Sequence, residues 1–316
     1  AGVGLARKIG MDLALKFFDY DNDRKKILIS LDADCKVSNN YLKCIVDEFN
    51  NNSINAAVVD FEHLFPEDPI FKSAIINYEI YLRYYVLGLK YAGSPFAHHS
   101  VGSTIICDAF HYIKVGGMNK RKGGEDFYFL EKMAKITEIS TIKAVKVFPS
   151  PRISDRVPFG TGPRINRFVT ENRDEYLLYA PEIFEILKLW LYDYFNVDLN
   201  TNNINILLKK ASKISKGLQD FLIINNFKDD WSNILKNSKT ELQIRKQKNL
   251  WMDGFKTLKM VHYLRDTYHP NIAMFNALNI LFQKMDLNPK FISHEKIPSI
   301  DIQVEYLDFL REHSNA

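Results

Sequence analysis

Residues 27–34, ILISLDAD, constrain this chain more than any other segment. The unbroken apolar run at 27–31 suits a strand covered on both faces, and it stops abruptly at two carboxylates, Asp32 and Asp34. Ser38 follows as a natural N-cap for a helix whose Leu42, Ile45, Val46 and Phe49 fall on one stripe. AAVVD at 56–60 is a second buried-strand pattern. Strand, helix, strand in that order predicts a parallel α/β sheet.

The stretch ahead of it, AGVGLARKIGMDLALKFF, reads as a glycine-rich turn feeding an amphipathic helix, with Ile9, Leu13 and Phe17 four apart on one face. Such a turn normally follows a strand, so further sequence upstream of residue 1 is expected. Aromatic residues at helical spacing (Tyr78, Tyr81, Tyr84, Tyr85) fill 70–90, and SVGSTIICDAF at 100–110 reads as a strand. Gly116-Gly117 marks a turn, 125–135 a helix presenting Phe127, Leu130 and Ala134, and TIKAVKVF at 141–148 another strand. PRISDRVPFGTGPR, dense in Pro, Gly and Arg, is loop. From about residue 170 glycine nearly vanishes and amphipathic stretches take over at 182–195, 204–224 and 255–268. The expected organisation is an α/β domain over 1–168 and a helical domain over 169–316.

Composition narrows the class. A net charge of +4 on 316 residues is too small to argue for a nucleic-acid partner. Cys35, Cys44 and Cys107 have neither zinc-ligand spacing nor an even count for a disulfide framework, which suits reduced thiols in a cytoplasmic protein. No apolar run reaches the ~18 residues that span a bilayer, so any membrane contact is expected to be peripheral. Lys209, Lys210, Lys213 and Lys216 could rest on an anionic surface, with a solvated helix face the plainer reading. Trp190 and Trp251 read as core.

Two carboxylates one residue apart, at the carboxyl end of a buried strand, point into the crevice where open α/β sheets bind ligands. Mg2+ and Mn2+ take oxygen ligands and reach proteins through one or two carboxylates plus substrate phosphates. LDAD at 31–34 meets that requirement. A second constellation, GGMNKRKGGEDFYFLEKMAK at 116–135, sets Glu125 and Asp126 at a helix start, where the helix dipole favours negative charge. That pair is either helix capping or a general base presented by a glycine-flexible loop. Cys35 reads as a small packed residue. Asp19–Asp23 begins like a calcium-binding loop but has Arg24 and Ser30 where that loop requires Gly and Glu, so it is a charged turn.

Gly2, Gly4 and Ala6-Arg7, then Asp32-Ala33-Asp34, then Gly116-Gly117 and Glu125-Asp126, stand in an order that resembles the family 2 glycosyltransferases of the GT-A fold. The resemblance covers roughly residues 1–165. It implies a GT-A domain, a mostly parallel nucleotide-binding sheet flanked by helices, with an α-helical C-terminal domain beyond it. The family's first strand and next βα unit have no counterpart, so about 70–100 residues are expected to be absent upstream.

The resemblance also implies an activity: metal-dependent, inverting transfer of a hexosyl or N-acetylhexosaminyl unit from a nucleotide-sugar to a hydroxyl acceptor, in glycan or surface-polysaccharide assembly. On this reading Asp32 contacts the ribose or the metal's water shell, and Asp34 holds a divalent ion, Mn2+ or Mg2+. Asp126 is the base, with Glu125 the other candidate. Arg7 lies near the donor, Arg152 and Arg156 belong to a segment closing over the diphosphate, and Ser103 lines the acceptor and donor-sugar pocket. The acceptor would be a saccharide or lipid-linked sugar, and the location the cytoplasm, with peripheral contact at the membrane's inner face. The competing readings are a non-catalytic GT-A-like subunit that binds glycan or another transferase, and a sugar nucleotidyltransferase.

Overall fold

A computed structural model describes residues 2–152, 160–170, 174–198 and 200–314. The chain forms two compact units that are not consecutive in sequence. Unit 1 comprises 1–83, 98–175 and 299–316, and unit 2 comprises 84–97 and 176–298. The expected division at residue 168 thus gives way to an interleaved one, in which the last helix belongs to unit 1.

Unit 1 runs α1 (Val3–Ala14), β1 (Ile27–Ile29), β2 (Lys36–Val37), α2 (Tyr41–Asn51), β3 (Ala56–Phe61), the first part of α3 (Pro69–Tyr91), β4 (Ile105–Asp108), α4 (Ala109–Lys114), α5 (Glu125–Ala134), β5 (Ile139–Phe148) and α6 (Thr161–Val169). Its sheet has the order β1-β4-β3-β5-β2. The expectation of a mostly parallel sheet is corrected. Strand β3 runs parallel to β5, whereas β4 is antiparallel to both β1 and β3, and β2 is antiparallel to β5. β1 and β3 do share a direction, as strand–helix–strand order requires, but β4 has been inserted between them. The cause is the connection through α3 and the loop after it, which returns the chain against the direction of β3.

β3 shows why the sheet is two-sided. Ala56 and Val58 face one cluster with Met11 of α1 and Phe129, Leu130 and Met133 of α5, while Ala57, Val59 and Phe61 face another with Tyr41, Ile45 and Phe49 of α2. Alternation at a period of two places successive residues on opposite faces, and helices cover both. Several details depart from the sequence reading. Ile9, Leu13 and Phe17 are 59%, 50% and 80% exposed, because α1 buries Gly4 and Met11 instead. Ser38 does not cap α2, which starts behind Asn40 in a left-handed conformation; the Ser38 hydroxyl bonds to the Lys146 backbone. β4 is shorter than 100–110, since a 3-10 turn occupies Gly102–Thr104 and Asp108 caps α4 by accepting from the His111 N–H.

Unit 2 runs from the last turns of α3 through β6 (Leu177–Leu178), α7 (Pro181–Asn196), α8 (Thr201–Ile214), α9 (Lys216–Ile224), α10 (Phe227–Asn237), α11 (Glu241–Trp251), α12 (Gly254–Thr267), β7 (Ile272–Ala273) and α13 (Met274–Lys284). Its centre is aromatic: Trp190 stacks on Tyr194 at 5.2 Å and Phe227 meets Trp251 edge-on at 4.9 Å, so both expected core tryptophans pack inside. The amphipathic stretch at 204–224 divides into α8 and α9 at Ser215, whose hydroxyl caps α9. Lys210 is paired with Asp193 and Lys216 with Asp220. Among the described residues no helix is long and apolar enough to cross a membrane.

The chain then returns to unit 1 as α14 (Ile300–His313), fastened through a buried carboxylate. Glu79 accepts from the His63 backbone N–H at 2.9 Å, from Arg83 at 2.9 Å and from Arg311 of α14 at 2.8 Å. Burial opposes ionisation of Glu79, but Arg83, His63 and Arg311 outweigh it and hold the carboxyl well below its usual range. His99 is buried as well, packed edge-on against Phe61 at 5.1 Å, and burial pulls His98 down to about 4.

Candidate active site

The mixed sheet assembles the candidate site. Because β4 runs antiparallel beside β1, the turn before β4 lies next to the chain leaving β1: Ser30 N–H donates to the Ile105 carbonyl at 2.9 Å and its hydroxyl to the Gly102 carbonyl at 2.8 Å. Because β2 pairs with the end of β5, with Lys36 opposite Phe148, the segment after β5 also arrives at Asp34 and Cys35. A parallel sheet would have sent neither segment there.

Helix α1 supplies the cation. Gly4 N–H donates to the Arg121 carbonyl at 3.1 Å, and a Cβ on Gly4 would stand 2.6 Å from that oxygen. This close approach seats the start of α1 on the loop that leads into α5, one turn before Arg7. The Arg7 guanidinium then divides its fork: Nη1 donates to Glu125 at 2.6 Å and Nη2 to Asp32. Arg7 thus forms a clasp between the chain after β1 and the start of α5. Glu125 is buried.

Asp126 faces a different environment from its neighbour. The protein packed around it, and next the charge of Glu125, push its carboxyl up to about 6, against the opposing effects of the Phe127 N–H and Arg7. Across from it, the Tyr78 hydroxyl of α3 bonds to Thr161 and is pushed up to about 12, first by burial, with the Asp126 charge adding to it. Arg164 of α6 pairs with Glu175 at 2.6 Å and lies over the Tyr81 ring at 4.3 Å. Tyr78 carried no sequence signal beyond helical spacing, and Thr161 and Arg164, expected in a loop, open helix α6 instead; the relation of all three to Asp126 is purely tertiary.

Asp34 is exposed and pairs with Arg152 at 2.6 Å, which joins the expected diphosphate segment to the metal candidate. Arg156 lies outside the described residues. Ser103 is buried and hydrogen-bonds to the thiol of Cys35. Asp32, Asp34 and Cys35 each offer an atom within 4.8 Å of the others. Oδ1 of Asp32 and Oδ2 of Asp34 are engaged by arginine, so each carboxylate keeps a second oxygen. Carboxylate oxygens this close fit a divalent cation that completes its shell with phosphate or water.

The structure thus brings Arg7, Asp32, Asp34, Ser103, Glu125 and Arg152 into one connected set, with Asp126 adjoining Glu125. Comparison with known proteins adds nothing to this picture: no family model, curated protein or solved structure matches the chain.

Proposed function

We propose that the chain is the catalytic body of a metal-dependent, inverting glycosyltransferase with a GT-A arrangement of its α/β unit. It would move a sugar from a nucleoside-diphosphate donor to a hydroxyl of a saccharide or lipid-linked acceptor. The observation that carries the reading is the contiguity of a paired-carboxylate turn with a helix start bearing two carboxylates of opposite character. Arg7 ties Glu125 into an ion pair, while Asp126 is pushed up to about 6, in the range that suits a general base near neutral pH.

Asp34 and Asp32 would hold Mn2+ or Mg2+, which when bound offsets charge gathering on a departing diphosphate. Arg152, on Asp34, is close enough to add a second positive charge at that end. Glu125 is held in its ion pair by Arg7. Asp126 accepts the proton of the acceptor hydroxyl as its oxygen bonds to the anomeric carbon and the carbon–diphosphate bond breaks. One displacement from the face opposite the leaving group inverts the anomeric centre.

The test is transfer and donor hydrolysis by the purified protein across a panel of nucleoside-diphosphate sugars, with and without Mn2+. Wild type is compared with Asp34→Ala and Asp126→Asn. Metal-dependent turnover lost in both variants is the expected result. Turnover unchanged in both would overturn the site assignment, and absence of donor binding would favour a non-catalytic GT-A-like subunit.

A further inference from the structure

We propose that the adjoining outer faces of α7 and α8 in unit 2 form a docking surface for a bilayer containing anionic lipid. The proposal stands on unit 2 alone and is independent of the transferase reading.

Helical periodicity sorts each helix into two sides. α7 buries Leu187, Trp190, Leu191 and Tyr194, and turns Leu189 and Tyr192 outward, 45% and 71% exposed. α8 buries Ile204, Leu207 and Ala211, and turns out Ile206, 50% exposed, with exposed Lys209, Lys210 and Lys213 on the same stripe. The two stripes adjoin, because Lys210 of α8 reaches Asp193 of α7, the residue beside Tyr192, at 2.6 Å. Two large aliphatic side chains and a tyrosine therefore share a surface with lysines. Single exposed apolar residues are ordinary, whereas a group of them rimmed by charge of one sign marks a binding surface.

The charge of this surface selects its partner. The acids that border it are engaged, Asp193 by Lys210 and Glu185 by Lys284. Lys188 lies over the Tyr91 ring at 4.1 Å on one side, and exposed Lys216 follows at the start of α9. The bias extends to the whole unit. Unit 2 holds 18 Lys and Arg against 12 Asp and Glu, a net +6, while unit 1 holds 24 against 26, a net −2. A bilayer meets both halves of the pattern. Anionic headgroups attract lysine, each residue near the surface raising affinity about fivefold. The interface below them accepts tyrosine and aliphatic side chains, which a nucleic-acid backbone would leave in water. Long lysine stems let the ammonium groups stay with the headgroups while Leu189 and Ile206 enter beneath.

The experiment is co-sedimentation of the purified chain with vesicles of phosphatidylcholine, alone or with roughly one third phosphatidylserine. Wild type is compared with a charge variant (Lys209→Glu with Lys213→Glu) and an apolar variant (Tyr192→Ser with Ile206→Ser). A control, Lys43→Glu with Lys143→Glu, changes unit 1 by the same charge. All the substituted side chains lie at the surface, and circular dichroism checks each fold. Wild type should sediment with the mixed vesicles, much less with phosphatidylcholine alone, and less as salt rises. The charge variant should bind about tenfold or more weakly, the apolar variant about fivefold or more weakly, and the control as wild type does. Wild-type binding by the charge variant, or an equal loss in the control, would overturn the surface. Loss confined to the charge variant, with wild type binding single-stranded RNA, would assign the lysines to nucleic acid and overturn the bilayer. Failure of wild type to bind the mixed vesicles would overturn the proposal outright and leave the transferase reading standing.

Discussion

Gly102 stands against Arg7 so closely that a Cβ there would lie 1.9 Å from Arg7 Nη1. The missing side chain is the space in which the guanidinium bridges Asp32 and Glu125. Gly102→Ala is therefore expected to dislodge Arg7 and to reproduce Arg7→Ala. Removing the cation from buried Glu125 should cost about 3–5 kcal/mol of stability, read by chemical denaturation. Arg7→Lys should recover only part of this, because one ammonium cannot span the two carboxylates as a planar fork does.

A pH dependence follows from Asp126, raised from an ordinary 3.8 to about 6. As the base it must be ionised, so kcat/KM should rise with pH through about 6 and level off above it. Asp126→Asn should lower transfer about 10²–10⁴-fold. A raised carboxyl favours the protonated form in the folded state, so ionisation costs stability as pH rises from 3.8 through 6. Asp126→Asn should thus gain about 1 kcal/mol at pH 7, allowing for partial exposure, and nothing at pH 3. Thermal unfolding at both pH values checks the sign.

Glu79 has the opposite sign. Its folded pKa lies below the ordinary 4.5, so its contribution is complete above that value and is lost as pH falls from 4.5 through the depressed one. Arg311→Ala removes the donors that α14 brings to this carboxylate and should cost about 2–3 kcal/mol. Hydrogen exchange should show α14 losing protection ahead of the sheet.

Gly4→Ala would force a Cβ to within 2.6 Å of the Arg121 carbonyl and 2.7 Å of the Asn119 carbonyl. Both neighbours are backbone, which cannot swing aside as a side chain can. A loss of about 1–3 kcal/mol is expected, with a further fall in turnover as α1 moves and carries Arg7 with it. Gly10→Ala, whose Cβ would meet nothing within 4 Å, is the control and should leave both unchanged or slightly raise stability.

Local pattern alone carried a strand ahead of Asp32-Ala33-Asp34, the glycine-led helix start at Glu125-Asp126 and the helical character beyond residue 170. Each follows from residues near one another in sequence: an apolar run, a turn, a period of 3.6. β1 is nevertheless shorter and less covered than the apolar run suggests, spanning Ile27–Ile29 with only Leu28 buried and Leu31 exposed. Pattern alone gave no access to strand direction, because an apolar run is the same whichever way its neighbour runs. The insertion of β4 against β1 set Gly102 and Ser103 beside the carboxylates, and the pairing of β2 with β5 delivered Ser150 and Arg152. Tertiary packing likewise buried Gly4 and Met11 in place of the Ile9, Leu13 and Phe17 face, and folded α14 back onto Glu79. The carboxylates were therefore legible in the sequence, whereas their partners (Arg7 on both Asp32 and Glu125, and Cys35 at the edge of the pair) exist only where distant segments meet.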